Sequence, residues 1–393
     1  MAIARKIKAS ISKSSMIRKM FEEGAILKKK YGADKVYDFS LGNPNIEPPD
    51  EFKKELINLA AEMIPMKHGY APNAGFAETR QAIAEKINRT QNLKLTADNV
   101  IMSCGAAGAL NVIFKSLLDP GDEVIVLMPY FVEYPFYIDN YRGIIKFVKT
   151  NDDFSLNIEA IAAAINDNTK AVLINSPNNP TGKVYDEKSI NDIARLLTEK
   201  GKELNKTIYL VSDEPYTEIV YDNVVVPGTL KAYKNAIVAY SYSKTLSLPG
   251  ERIGYIAVNP EIEHGADLQN GLILCTRILG YVNAPALMQR IVAKLQDVAV
   301  DAKVYQKKRD MLCDGLASAG YKFEKPQGAF YLFVQSPIPD DVEFVKTLLK
   351  KNILVVPGSG FGGPGYFRIA YCVDDATITN SLEGFAEAIK ECH

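Results

Sequence analysis

Between residues 99 and 258 the chain repeats one alternation. Short runs of apolar, mostly β-branched residues are separated by polar stretches: "NVIMS" (99–103), "EVIVLM" (123–128), "IIKFV" (144–148), "AVLIN" (171–175), "IYLVS" (208–212), "AIVAYS" (236–241) and "IGYIAV" (253–258). Several of the intervening stretches have helical spacing. In "EKSINDIARLLTEKGKEL" (187–204), Ile190, Ile193, Ala194 and Leu197 fall on one helical face. Strands alternating with helices make a mostly parallel sheet covered on both sides. The pattern predicts an α/β fold whose large domain holds a seven-stranded, mostly parallel sheet flanked by helices. After residue 285 the rhythm changes. A long helical pattern from Pro285 to Ala319 leads into "GAFYLFVQ" (328–335), a helix near 340–351, "NILVVPG" (352–358) and "YFRIAYC" (366–372). That part reads as a smaller α+β domain, built from both chain ends. The expected division is residues 46–285 for the large domain and 286–393 for the small one, with 1–45 an N-terminal segment packing on the latter.

The glycine-rich and polar signals sit just past the apolar runs. "CGAAGAL" follows the first, "PYFVEY" the second, "SPNNPTG" the run at 171–175, "DEPY" the run at 208–212 and "YSKT" the run at 236–241. In open α/β sheets ligands bind outside the carboxyl ends of the strands, so these loops are expected to converge. Turns are naturally rich in Gly, Pro, Asn and Asp, so one such loop carries little meaning. Complementary chemistry across all of them carries more.

Composition narrows the classes. With 393 residues, 47% hydrophobic and 24% charged, the chain suits a folded protein with a sizeable core. A formal net charge of −1 gives no basic field for nucleic acid or an anionic membrane. The N-terminal "MAIARKIKASISKSSMIRKM" lacks the apolar core of a signal peptide, and no run is long enough to span a bilayer. A cytoplasmic protein with no membrane and no nucleic-acid partner is expected. The five cysteines are scattered without C-x-x-C spacing, which opposes a disulfide framework and a zinc site. No metal is expected. The histidines, His68, His264 and His393, have no suggestive neighbours, so acid–base chemistry falls to another group. Lysine is the leading candidate.

"SYSKTLSLPGERIGY" (241–255) sets Lys244 among small hydroxyl residues, with Arg252 eight positions on. A cation nearby disfavours the charged form of an amine and so helps it act as a nucleophile. Hydroxyls with an arginine suit a phosphate. Gly105, Ala106 and Ala107 can offer backbone N–H groups at a helix start. Phe131 could stack a ring, Asn179 offers an amide on a rigid turn, and Asp213 with Tyr216 puts a carboxylate and a phenol at the end of a buried strand. Each has a plainer alternative taken singly: core packing for Phe131, a turn for Asn179, a cap for Asp213, a solvated strand end for Lys244. Together they describe pyridoxal 5′-phosphate. Lys244 forms a Schiff base; Ser241, Arg252 and the 105–107 backbone hold the phosphate. Asp213 keeps the ring nitrogen protonated, making the ring an electron sink, while Tyr216 and Asn179 meet the phenolic oxygen.

"SYSKTLSLPGERIGY", "NSPNNPTG", "VSDEPY" and "FRIAY" closely resemble the class I aminotransferases, the aspartate aminotransferase-like family of fold type I pyridoxal-phosphate enzymes. The resemblance runs in order from about Tyr37 to Arg368. It implies that Lys244 is both the covalent anchor and the proton shuttle, with Phe131 stacked on the ring and Ser243 joining Ser241 and Arg252 around the phosphate. Tyr70, in "HGYAPNAG", resembles the tyrosine that reaches the phosphate of the neighbouring subunit, which implies a homodimer with shared active sites. Gly42, in "LGNP", resembles the segment that closes over substrate, and Arg368 the bidentate clamp for the substrate α-carboxylate. The implied activity is ping-pong transfer of the amino group of an L-amino acid, aspartate as the best expectation, to a 2-oxo acid such as 2-oxoglutarate. An alanine or aromatic donor, or a β-lyase or synthase on the same fold, is the alternative. The chain departs from the family in "GAAGAL", where many relatives carry polar side chains. Before Pro285 it also lacks a convincing copy of the arginine that reads an acidic side chain; Arg277 stands about one position out of place.

Overall fold

The computed structural model describes residues 3–13, 23–24 and 26–392. Parts of the expected 1–45 segment, and the C-terminal His393, lie outside the described residues. After a short strand β1 (Tyr37–Asp38), the apolar runs become β2 (Val100–Ser103), β3 (Glu123–Met128), β4 (Ile144–Lys149), β5 (Thr169–Asn175), β6 (Tyr209–Asp213), β7 (Ala236–Ser241) and β8 (Gly254–Val258). They form one seven-stranded sheet in the order β2-β8-β7-β6-β5-β3-β4. β8 alone runs against its neighbours, pairing antiparallel with both β2 and β7. The expected mostly parallel sheet is borne out.

The inner strands alternate with period two, and both of their faces are buried, whereas the edge strand β4 is largely exposed. Val124 and Val126 of β3 point into one hydrophobic cluster, Ile125 and Leu127 into the other. Val172 and Ile174 of β5 face the same cluster as Ile125, while Ala171 and Leu173 face its opposite. Helix Glu187–Glu203 covers one side with Ile190, Ile193, Ala194 and Leu197, all buried as its periodicity predicts. Each large aliphatic side chain so buried contributes roughly 1.5–3 kcal/mol of transfer free energy. Asp186 starts this helix by accepting the Ser189 N–H at 2.8 Å. Helix Gly105–Leu117 covers the other side.

The smaller unit has its own core, which holds Phe330, Leu332, Phe344, Phe367 and Phe385. Its strands are β9 (Tyr331–Gln335), β10 (Ile353–Leu354), β11 (Val356–Pro357) and β12 (Tyr366–Ala370). β12 lies between β11 and β9, antiparallel to both. β1 pairs parallel with β10, so the N-terminal part of the chain completes this unit. The long helical pattern expected from Pro285 to Ala319 is two helices, Ala286–Lys294 and Ala302–Ser318. Asp301 makes the break: its side chain accepts the Lys303 N–H at 2.9 Å and caps a new helix. The linker is fastened by the Val300 N–H, which donates to the Thr245 carbonyl at 2.8 Å, one residue past Lys244.

Candidate active site

β3, β5, β6 and β7 run parallel, so their carboxyl ends share one edge of the sheet. That edge carries Asn175, Asp213 and Ser241 as the last residues of β5, β6 and β7. β8 runs the other way and therefore begins there, with Gly254 in register between Ser103 and Ser241. Its reversal delivers Arg252 to the edge as well. Arg252 lies against the first turn of helix Gly105–Leu117, where a Cβ on Gly105 would come within 3.0 Å of its guanidinium. Gly105 also has φ +72°, so glycine serves both the turn and the close approach.

A cavity of about 380 Å³ opens at this edge. Gly42, Ala106, Ala107, Phe131, Asn179, Asp213, Tyr216, Ser241, Ser243, Lys244, Arg252 and Arg368 all line it. At one end, the Ser241 hydroxyl donates to Ser243 Oγ at 2.7 Å and accepts the Ser243 N–H at 3.2 Å. Arg252 Nη1 is steadied by the Pro249 carbonyl at 2.9 Å. Two hydroxyls, a guanidinium and a helix N-terminus together make a fitting cradle for a phosphate.

Lys244 projects from the short helix Tyr242–Thr245, which Ser241 caps. Its Nζ donates to the Gly42 carbonyl at 2.8 Å. The amine is pushed down to about 8, chiefly by burial, with Arg252 and Arg368 adding to the effect and Cys372 opposing it. A cationic neighbour is the cause expected from the sequence. Burial is the larger cause here, and Arg368 acts alongside Arg252. A lysine near 8 has an appreciable neutral fraction at physiological pH, as a nucleophile or a proton carrier requires.

Asp213 is fully enclosed. Its Oδ2 accepts the Tyr134 hydroxyl at 2.6 Å, while Oδ1 is buried with no hydrogen-bond partner. Burial lifts this carboxyl to about 7, against the lowering effect of Tyr134 and with a further push up from Glu214. A buried carboxylate oxygen without a partner is costly, and a cationic N–H of a pyridine ring is the kind of donor that removes the cost. Pyridoxal phosphate thus fits the residues present at both ends of the cavity.

Across the cavity, Arg368 of β12 is buried between the rings of Tyr331 and Phe361, 4.7 and 4.6 Å from its Cζ. Nη1 donates to Asn179 Oδ1 at 3.3 Å and Nη2 to the Ser40 carbonyl at 2.6 Å. Its Nε has no partner, so part of the fork remains open to a carboxylate. Asn175 braces the centre. Its Nδ2 donates to the Asp213 carbonyl at 2.8 Å, and its Oδ1 accepts the Asn179 N–H at 2.7 Å.

Comparison with known proteins is consistent with this geometry. The family model for aminotransferase class I and II matches residues 34–385. The chain belongs to the class I and II aminotransferases. It is 36% identical over 370 residues to a probable aspartate/prephenate aminotransferase of Thermus aquaticus, covering 92% of this chain and 93% of that one. It is 33% identical over 366 residues to the aspartate/prephenate aminotransferase of Thermus thermophilus, covering 92% of each. Among solved structures, an amino transferase of Eubacterium rectale superposes with a TM-score of 0.96 at 40% identity, covering 100% of this chain and 99% of that one. The Thermus thermophilus aspartate aminotransferase with maleate superposes with a TM-score of 0.87 at 28% identity, covering 99% and 100%. The protein is therefore an aminotransferase of a pyridoxal-phosphate-dependent family.

Two residues singled out in the sequence lie apart from this aminotransferase cavity. Tyr70 is 90% exposed. Arg277 is exposed near the end of helix Gly265–Ile278 and makes no ion pair among the described residues. Other residues at the cavity were not singled out in the sequence. Tyr331, Asn175 and Ser40 belong to the wall, and Tyr134 stands directly behind Asp213. Tyr134 and Asn175 fall inside motifs already quoted, and Tyr331 inside an apolar run. Their residue types alone gave no separate signal.

Proposed function

We propose that the protein is a homodimeric pyridoxal-phosphate aminotransferase. In a ping-pong cycle it moves the amino group of an L-amino acid, aspartate foremost, to a 2-oxo acid such as 2-oxoglutarate. Residues 46–285 carry the cofactor, and 286–393 with 1–45 close the substrate side. The observation that carries the reading is the buried, unpartnered Oδ1 of Asp213 on the wall of a cavity that also holds Lys244.

When bound, the cofactor supplies an electron sink for the charge left as the substrate Cα proton departs. Asp213 holds a proton on the ring nitrogen, which strengthens that sink. Phe131 packs on the ring, and Asn179 with Tyr216 meets its phenolic oxygen. Ser241, Ser243, Arg252 and the backbone of 105–107 hold the phosphate, joined by Tyr70 of the second subunit. Lys244 anchors the cofactor covalently between turnovers. With its amine free, Lys244 would take the proton from the substrate Cα, a role its lowered proton affinity suits. Arg368 clamps the α-carboxylate, and the strap around Gly42 excludes water.

Support for aspartate comes from the relatives' names and from Arg277, whose exposed position leaves it free to reach a neighbouring subunit. A second reading has an observation of its own. The cations on the cavity wall are Lys244, Arg252 and Arg368, and each already has a task. Leu41, Val132 and Tyr137 complete a partly apolar wall that suits an alanine or aromatic donor. The test is a half-reaction screen of amino acids that follows the cofactor's visible absorption in wild type, Lys244→Ala and Arg277→Leu. Aspartate should convert the cofactor fastest in wild type, lose its advantage in Arg277→Leu, and do nothing in Lys244→Ala. Conversion by Lys244→Ala at the wild-type rate would overturn the assignment. An aspartate preference that is absent in wild type, or unchanged in Arg277→Leu, would favour the second reading.

A further inference from the structure

Tyr331 touches both halves of the site and belongs to neither set of expected residues. Its hydroxyl lies 3.0 Å from the Tyr216 hydroxyl, and the two rings meet edge to face at 86°. Among the described residues, neither hydroxyl has another hydrogen-bond partner. The pair therefore shares one hydrogen bond but owns two protons, because each phenol is a single donor with room to accept. One proton lies between the oxygens and the other is spare. Both residues are buried on the cavity wall. If Tyr216 donates to Tyr331, its proton is occupied and it offers the cavity only a lone pair. If Tyr331 donates to Tyr216, the Tyr216 proton is free to point into the cavity.

The ring of Tyr331 has a second contact. Arg368 Cζ lies over it at 4.7 Å and over the Phe361 ring at 4.6 Å, so two aromatic rings pack on the guanidinium. Its hydroxyl also approaches Gly42, where a Cβ would collide with the oxygen, so the strap packs directly on this side chain.

We propose that Tyr331 is a positioning residue whose hydroxyl donates to Tyr216, so that the Tyr216 proton points at the cofactor's phenolic oxygen, while its ring keeps Arg368 aligned for the substrate carboxylate. The inference rests on the reading of Tyr216 given above. Proton donation to the phenolic oxygen draws off negative charge that otherwise holds a proton on the adjacent Lys244 linkage nitrogen. Losing that donation raises the pH at which this nitrogen releases its proton.

The pH midpoint of the holoenzyme's visible absorption reads this directly, without turnover. Tyr331→Phe should raise the midpoint by a few tenths of a unit (~0.1–0.3), because Tyr216 keeps its own proton and loses only the donor that polarises its hydroxyl. Tyr216→Phe should raise it at least as much, and the double variant no further than Tyr216→Phe alone. Binding of a simple monocarboxylate such as propionate should survive Tyr331→Phe, which keeps the ring, and weaken several-fold to about tenfold in Tyr331→Leu. No shift in Tyr216→Phe would remove the reading of Tyr216 itself. A shift in Tyr216→Phe with none in Tyr331→Phe, or additive shifts in the double variant, would overturn the role of Tyr331 and leave that reading intact. Equal carboxylate affinity in Tyr331→Leu and wild type would overturn the second half.

Discussion

Removing the cofactor should give a protein whose stability falls as pH rises from about 4 to about 7. Asp213 has an ordinary value of 3.8 and is lifted by burial to about 7 in the folded chain. Between those values the unfolded chain has ionised while the folded chain keeps its proton, so the folded state binds more protons and stability declines with rising pH. Below the lower value both states are protonated, and above the upper both are ionised, so the slope vanishes outside the window. Three units at 1.36 kcal/mol each make the decline about 4 kcal/mol for this fully buried group. Glu214, which accepts the Thr229 hydroxyl at 2.8 Å, is likewise lifted from 4.5 to about 7 by burial. It adds about 3 kcal/mol over a slightly narrower window. Urea denaturation of the cofactor-free protein at intervals across pH 4.5–8 (roughly the span set by these shifts) measures the sum. Asp213→Asn should remove more than half of the decline, and Glu214→Gln most of the rest. Pyridoxal phosphate should flatten the share of Asp213 and leave that of Glu214, because a cationic ring nitrogen against Oδ1 stabilises the carboxylate. An unchanged decline in Asp213→Asn would refute the burial argument. An unchanged decline on adding cofactor would refute the pairing of Oδ1 with the ring.

Arg368→Lys should weaken amino acid and 2-oxo acid together by about 2–5 kcal/mol, since both present the same α-carboxylate to a desolvated fork; KM values that move for one class alone would point to side-chain recognition instead. Tyr134→Phe should push the Asp213 carboxyl further up by removing the hydrogen bond to Oδ2, seen as a protonated-carboxyl infrared band that persists to higher pH; a band that disappears at the wild-type pH would contradict it. Mixing Tyr70→Phe chains with Lys244→Ala chains should restore activity, because one site of each mixed dimer then carries neither lesion, whereas an active monomer in sedimentation would remove the basis for sharing.

The sheet could be read in the sequence because its strands, apart from the largely exposed edge strand β4, are buried on both faces and so appeared as compact apolar runs. The convergence of loops followed from one rule about strand ends. The position of Arg252 did not follow from it, since that depends on β8 running backwards, and an antiparallel central strand is as apolar as its parallel neighbours. The helix break at 295–301 was hidden for a related reason: apolar spacing continues through it, and a single capping aspartate, Asp301, decides against continuity. Residues whose chemistry requires an unusual type, such as Lys244 in hydroxyl company, stood out. Those that work by orienting another side chain did not. Tyr331 and Tyr134 are aromatic residues in apolar surroundings, indistinguishable by type from core, and only a distance to a second oxygen marks them as part of the site. Lys244 shows the same limit from the other side. Its neighbours along the chain suggested charge repulsion as the cause of its lowered value, yet burial contributes most, and the groups against its amine, the Gly42 carbonyl and the Phe330 ring, are far from it in sequence. A motif therefore identifies the reacting group, while the fold sets its proton affinity, so substitutions on the strap and on β12 should retune Lys244 without touching its motif.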